Sequence, residues 1–213
     1  MTTGTNNPDF ITPSFNSIGV LAPYPSDSAD TINGLEGNDF IDGGGSTDII
    51  SGGGGDDFVL GGGGGDALQG DSGDDRLLGQ EGNDIINGGV GEDIIAGGSG
   101  QDNLRGDGNN DVFVFTAVDE SGAAFSQRDT IQDFSPGNDR IDLHDIDANI
   151  NLANDQAFTF IGGLAFGGNA GELSYVPFAG DTILRGDVDG DANADFAIVL
   201  NGNPAITVAD IEL

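Results

Sequence analysis

The residues most capable of chemistry in this chain are carboxylates set at a fixed interval. Aspartate recurs every nine residues at Asp30, Asp39, Asp48, Asp57, Asp66, Asp75, Asp84, Asp93, Asp102 and Asp111. From Gly34 onward each follows a glycine by five places, at Gly34, Gly43, Gly52, Gly61, Gly70, Gly79, Gly88, Gly97 and Gly106. Carboxylates repeated on a regular scaffold stand in rows, and like charges in a row repel. A divalent cation between neighbours reverses the sign of that interaction. The donors on offer are all oxygens, from the aspartate side chains and the main-chain carbonyls of those nine glycines. Hard oxygen donors in a flexible cage select calcium over zinc or copper, and magnesium resists giving up its waters. The expectation is several Ca2+ ions per chain.

An element of matching period must position these groups. Reading in nines from Gly34 gives GLEGNDFID, GGGSTDIIS, GGGGDDFVL, GGGGGDALQ, GDSGDDRLL, GQEGNDIIN, GGVGEDIIA, GGSGQDNLR and GDGNNDVFV, with the half-unit SADTIN before them. The eighth place is always apolar: Ile32, Ile41, Ile50, Val59, Leu68, Leu77, Ile86, Ile95, Leu104 and Phe113. Glycines at the first, second and fourth places allow positive φ and close backbone approach. Places seven to nine predict a short strand with its middle side chain inward. One turn and one strand make half a coil, so equivalent residues stack eighteen apart. Asp39, Asp57, Asp75, Asp93 and Asp111 then line one edge, and Asp30, Asp48, Asp66, Asp84 and Asp102 the other. Neighbours on an edge are about 4.8 Å apart, the spacing of paired strands. A flexible linker has no reason to hold an acid and an aliphatic in phase, and a phosphate loop needs a lysine that this chain lacks. Burial of about one aliphatic side chain per unit does not offset the entropy of ordering nine residues, so metal binding and folding are expected to be one event.

The composition agrees. Against 37 acidic residues stand five arginines and no lysine, for a net charge of -32. Such a field opposes compaction unless cations come from outside, and it disfavours nucleic acid and anionic membrane surfaces as partners. Cysteine is absent, which removes disulfides and thiolate chemistry. No apolar run is long enough for a transmembrane segment, and MTTGTNNPDFITPSFNS does not read as a cleaved signal peptide. The Pro- and Ser-rich residues 1–29 predict an extended or disordered arm, and residues 30–115 the repeat roll. Residues 116–213 alternate apolar and polar between turns such as PGND and NGNP. They predict a small antiparallel β-structure capping the roll. Within them DVDGDANAD sets Asp187, Asp189, Asp191, Asn193 and Asp195 at alternate places. That is either a further calcium site, like the start of an EF-hand loop, or a plain acidic turn.

The units resemble the RTX nonapeptide GGxGxDxUx. DVFVF (111–115), DTIQDF (129–134), NDRIDL (138–143), DQAFTFIG (155–162), GELSY (171–175) and GDVDGDANADFAIVL (186–200) resemble the C-terminal region of the serralysin metalloproteases. The resemblance implies an all-β fold: a parallel β-roll with calcium held between turns by aspartates and main-chain carbonyls, followed by an antiparallel C-terminal cap. It also implies type I secretion, with a dedicated exporter as partner and an extracellular location. The protease itself is missing, because metzincin zinc needs several histidines and the chain has only His144, which reads as a surface residue. No catalytic residue is expected. An accessory module of an extracellular protease or alginate epimerase, and an adhesive protein meeting a polysaccharide or surface, are the alternative roles.

Overall fold

A unit with one inward aliphatic side chain has too little apolar surface to fold alone and must find its core by stacking on its neighbours. The computed structural model describes residues 2–3, 10–11, 15–16, 20–21 and 28–213. The fold is all-β, a parallel β-solenoid of about five turns that ends in antiparallel strands. Strands β1 (Thr2–Thr3), β2 (Phe10–Ile11), β3 (Phe15–Asn16) and β4 (Val20–Leu21) precede the repeats. The repeats supply β5 (Thr31–Glu36), β6 (Phe40–Asp42), β7 (Ile49–Gly54), β8 (Phe58–Gly63) and β9 (Ala67–Ser72). They continue with β10 (Arg76–Glu81), β11 (Ile85–Val90), β12 (Ile94–Ser99), β13 (Asn103–Gly108) and β14 (Val112–Val114).

Successive strands alternate between two sheets. Odd-numbered strands β5 to β13 form one and even-numbered strands β6 to β14 the other. Each pairs in parallel with the strand one coil further on, with Ile32 opposite Ile50, Ile50 opposite Leu68 and Leu77 opposite Ile95. The eighteen-residue stacking expected from the repeat is therefore the observed register. All ten eighth-place side chains, from Ile32 to Phe113, lie inside at 3% exposure or less. Seventh-place residues face outward, with Ile49 and Ile85 exposed and the Phe40 and Phe58 rings stacked 5.3 Å apart.

Two details of the expected unit need correction. Strands β7 to β13 run six residues, through the first three places of the next unit, not three. The first-place glycine allows this because its φ is not positive; positive φ falls at the second and fourth places alone. Leu35, Asp71, Gln80 and Asp107 at the second place, with Ser46 and Asn109 at the fourth, all adopt φ between 67° and 90°. The surrounding coils hold these side chains in a region costing an L-residue roughly 1 kcal/mol or more.

The C-terminal region extends the same two sheets. Its strands are β15 (Thr130–Ile131), β16 (Arg140–Asp142), β17 (Thr159–Gly162), β18 (Glu172–Phe178), β19 (Asp181–Asp187), β20 (Phe196–Leu200) and β21 (Ile211–Glu212). Strand β15 joins β13 and β16 joins β14, both in parallel, so coiling runs past the last repeat. Strand β20 adds to β15, and β19 and β18 follow it antiparallel. Ile131, Ile141, Leu200 and Ile211 carry the apolar interior onward. Most of the arm expected over residues 1–29 lies outside the described residues. Of the described pairs, β1 lies parallel to β5, β2 parallel to β6, and β3 antiparallel to β4.

Candidate metal centre

Turns leading from odd to even strands (37–39, 55–57, 73–75, 91–93 and 109–111) form the first edge of the roll, and turns leading back (46–48, 64–66, 82–84 and 100–102) the second. Asp39, Asp57, Asp75, Asp93 and Asp111 stack on the first edge, and Asp48, Asp66, Asp84 and Asp102 on the second, all at 3% exposure or less. Asp30 opens the second row half-buried.

From Asp48 to Asp111, each stacked carboxylate has one oxygen engaged by the coil before it. The Asp57 N–H donates to Asp75 Oδ1 at 2.8 Å and the Asp66 N–H to Asp84 Oδ1 at 2.7 Å. The same bond links Asp30 to Asp48, Asp39 to Asp57, Asp48 to Asp66, Asp75 to Asp93, Asp84 to Asp102 and Asp93 to Asp111. The second oxygen is different. The Oδ2 atoms of Asp48, Asp57, Asp66, Asp75, Asp84, Asp93 and Asp102 are buried with no hydrogen-bond partner. A buried carboxylate oxygen left unpaired is costly, and a whole row of them calls for a cation.

First-place glycines make the space those oxygens face. A methyl group built on Gly61 would lie 2.7 Å from Asp66 Oδ2 and 2.8 Å from the Gly79 carbonyl oxygen. On Gly43 it would lie 3.0 Å from Asp48 Oδ2 and 2.5 Å from the Gly61 carbonyl oxygen. A bare carboxylate oxygen from its own unit and a glycine carbonyl from the next coil thus converge on Gly43, Gly52, Gly61, Gly70 and Gly79. This donor set suits a hard divalent ion, and calcium in particular.

Sequence reasoning missed two members of the rows. Asp129 and Asp139 are buried at 0% and 4% exposure and prolong the second and first edges. The Asp102 N–H donates to Asp129 Oδ1 at 2.8 Å and the Asp111 N–H to Asp139 Oδ1 at 3.2 Å. The signal was present, since Asp129-Thr-Ile131 and Asp139-Arg-Ile141 repeat the pattern of places six to eight without the glycines. The rows end differently. Asp139 Oδ2 accepts the Ser135 N–H at 2.7 Å, whereas Asp129 Oδ2 is buried without a partner.

Without bound cations, burial raises the pKa of these groups, backbone hydrogen bonds oppose it, and for most of the row stacked carboxylates add to it. Asp48, Asp57 and Asp84 are pushed up to about 6, Asp75, Asp102 and Asp111 to about 7, and Asp129 to about 8. An acid whose folded pKa lies above its unfolded value costs nothing once protonated in both states. Its penalty grows as pH rises from about 4 through the folded pKa. The metal-free roll should therefore gain stability as pH falls from 8 toward 4. Far-UV circular dichroism in chelator should show β-structure increasing over that interval, and a signal that falls or stays flat contradicts the burial of these groups.

The EF-hand-like string is brought together only in part. Carboxylate oxygens of Asp187, Asp189 and Asp195 lie within 4.8 Å of one another, and Asp191 is not among that group. Asp191 Oδ1 instead accepts the Asn193 N–H at 2.7 Å. Asp187 is fully buried and spends both oxygens on backbone, accepting the Gly190 and Ala192 N–H groups. His144 is exposed and lies 3.2 Å from the Asp145 carboxylate, as its polar surroundings suggested. Among the described residues no helix is long and apolar enough to cross a membrane.

No curated protein matches the chain. Among solved structures it is similar to the AlgE6R3 subunit of the Azotobacter vinelandii mannuronan C5-epimerase, at 22% identity over 89% of this chain and 81% of that one, with a TM-score of 0.29. For the AlgE6R2 subunit of that enzyme the values are 25% identity, 76% and 89% coverage, and a TM-score of 0.38. The extracellular lipase LipA of Serratia marcescens is 16% identical over 99% of this chain but only 39% of its own, with a TM-score of 0.41. The family described as peptidase M10 serralysin C terminal matches residues 25–212. With nearly its whole length matched and its repeats coiled as an RTX β-roll, the chain belongs to the serralysin C-terminal family, of which it represents the non-catalytic region.

Proposed function

We propose that this chain is a secreted, non-catalytic calcium-binding protein whose roll folds when the ion is met outside the cell. The observation that carries the reading is the row of buried aspartate Oδ2 atoms without hydrogen-bond partners. Asp39, Asp48, Asp57, Asp66, Asp75, Asp84, Asp93, Asp102 and Asp111 would hold ions between coils together with first-place glycine carbonyls; Asp129 extends the set, and Asp30 stands at its rim. Bound calcium supplies fixed positive charge between stacked carboxylates. The chain's own part is to present a bare oxygen from each of Asp48, Asp57, Asp66, Asp75, Asp84, Asp93 and Asp102 and to keep the facing glycine free of a side chain. Asp187, Asp189 and Asp195 make a separate candidate cluster in the C-terminal region.

Residues 30–115 would then be the calcium-loaded roll and 116–213 the capping region, which in type I export also carries the uncleaved signal. A chain unfolded at low cytosolic calcium passes an exporter more readily than a folded one, and extracellular sites work at weak affinity. Family membership favours one second reading, an accessory module working beside an extracellular enzyme. Isothermal titration of the metal-stripped chain tests the principal reading. Calcium should bind at several ions per chain with the large heat of coupled folding, while magnesium gives little; absence of calcium uptake overturns it.

A further inference from the structure

The two edges of the roll carry the same stacked aspartates but very different surroundings. First-edge turn units, covering 34–39, 52–57, 70–75, 88–93 and 106–111, contain the additional acids Glu36, Asp56, Asp71, Asp74, Glu92 and Asp107. Second-edge units, covering 43–48, 61–66, 79–84 and 97–102, contain only Glu81 beyond the sixth-place aspartate. The contrast is sharpest at the fifth place, immediately before each stacked aspartate. There the first edge reads Asn38, Asp56, Asp74, Glu92 and Asn110, and the second Thr47, Gly65, Asn83 and Gln101.

On the first edge these side chains form an exposed outer column parallel to the buried one. The Asp74 N–H donates to Asp56 Oδ1 at 3.1 Å and the Glu92 N–H to Asp74 Oδ1 at 2.8 Å. Asn38 and Asn110 close the column, their side-chain amides donating to Asp56 at 3.2 Å and to Glu92 at 3.0 Å. The acids thus keep the coil spacing and stay beside the buried carboxylates. On the second edge the corresponding links are neutral: the Gly65 N–H to Thr47 at 3.4 Å and the Gln101 N–H to Asn83 at 2.8 Å. Arg128 turns its guanidinium to the Ala123 carbonyl, and Glu120 is the further acid that bears on Asp102 and Asp129 where that row ends.

We infer that the roll loads calcium in two classes, the first edge filling at lower concentration because its outer column of Asp56, Asp74 and Glu92 attracts the ion without ligating it. This inference rests on the calcium reading above and deepens it. A divalent ion feels each neighbouring carboxylate with twice the force of a monovalent one, and the bare Oδ2 atoms on both edges are otherwise alike. Arg105 offsets Asp107 on the first edge, and Asp42 and Glu120 bear on Asp48, Asp102 and Asp129 on the second, so the contrast in surrounding charge lies in the fifth-place column, not in ligand type. At intermediate calcium one side of the roll is closed while the other still opens, which grades the folding signal by ion concentration.

Calorimetric titration of the intact chain at low ionic strength tests this. Two binding classes are expected. The triple variant Asp56→Asn, Asp74→Asn, Glu92→Gln should weaken the tighter class by about 3- to 10-fold, falling below about 2-fold near 1 M salt, where the screening length is about 3 Å. Thr47→Asp with Gln101→Glu should instead tighten the weaker class. All five positions are exposed, so the variants should keep the β-spectrum at saturating calcium. Loss of that spectrum in the triple variant would leave the decision to the second-edge pair. Calcium binding unchanged in both variants at low salt overturns the inference while leaving the calcium reading intact. A wild-type chain that binds no calcium removes both.

Discussion

Chelation of the calcium-loaded chain should abolish most of its β-spectrum, and restoring calcium should bring it back. The expectation follows from the position of the acids. Asp48, Asp57, Asp66, Asp75, Asp84, Asp93 and Asp102 each bury an unpaired oxygen, within a chain of net charge -32. Burial raises the pKa of these groups, so above pH 8 a metal-free roll would have to keep most of a row of ionised carboxylates away from water. Removing the partner of a buried charge costs several kcal/mol at a single site, and here the loss repeats along two rows. Amide exchange should show protection vanishing from the repeats, because each coil relies on its neighbours and has no core of its own. A roll that keeps its protected amides in excess chelator at pH 8 would falsify the metal-dependent account of its stability.

Gly61→Ala should prevent the calcium-loaded roll from forming normally, or lower its stability by about 3 kcal/mol or more, while Gly63→Ala changes it by less than about 1 kcal/mol. Both are glycine-to-alanine changes two residues apart, and neither glycine has positive φ. The difference is what the added methyl meets. At Gly61 it lands 2.7 Å from Asp66 Oδ2 and 2.8 Å from a main-chain carbonyl of the next coil, whereas at Gly63 nothing lies within 4 Å. Strands stacked on both sides cannot move apart without breaking their ladder, so the strain at Gly61 has no cheap release. The methyl also intrudes where the metal is proposed to sit, so the calcium midpoint should rise together with the loss of stability. Urea midpoints measured at saturating calcium compare the pair, and equal midpoints would show that first-place glycines are dispensable.

Most of the architecture could be read from the repeat because the repeat is itself the geometry. An apolar residue at every eighth place and an aspartate at every sixth fix both the interior and the edges, and the observed register follows. What escaped was set by contacts between coils. The first-place glycine looked like a turn residue, yet it sits in a strand and is kept small by a carboxylate and a carbonyl from two directions. Leu35 and Gln80 stand at a left-handed second place that composition alone assigns to glycine. Asp129 and Asp139 were hidden because the loops before them differ in length from the repeat, although their neighbours Ile131 and Ile141 occupy the same inward column. In the DVDGDANAD string, alternation left open a calcium site or a plain acidic turn. Asp191 accepts both the Asn193 N–H and its side-chain amide, a local pairing that alternation alone does not reveal.

The strict alternation of strands between two sheets limits how this chain can vary in length. Removing a pair of adjacent units, eighteen residues, shortens the roll and leaves every later strand on its own side. Removing a single unit would exchange sides for everything downstream, sending β15 and β20 to the sheet that now receives β16 and β21. It would also splice acid-rich turns onto the neutral edge. Viable relatives of this roll should therefore differ in repeat number by even steps, a parity rule written into the coil by its two-strand period.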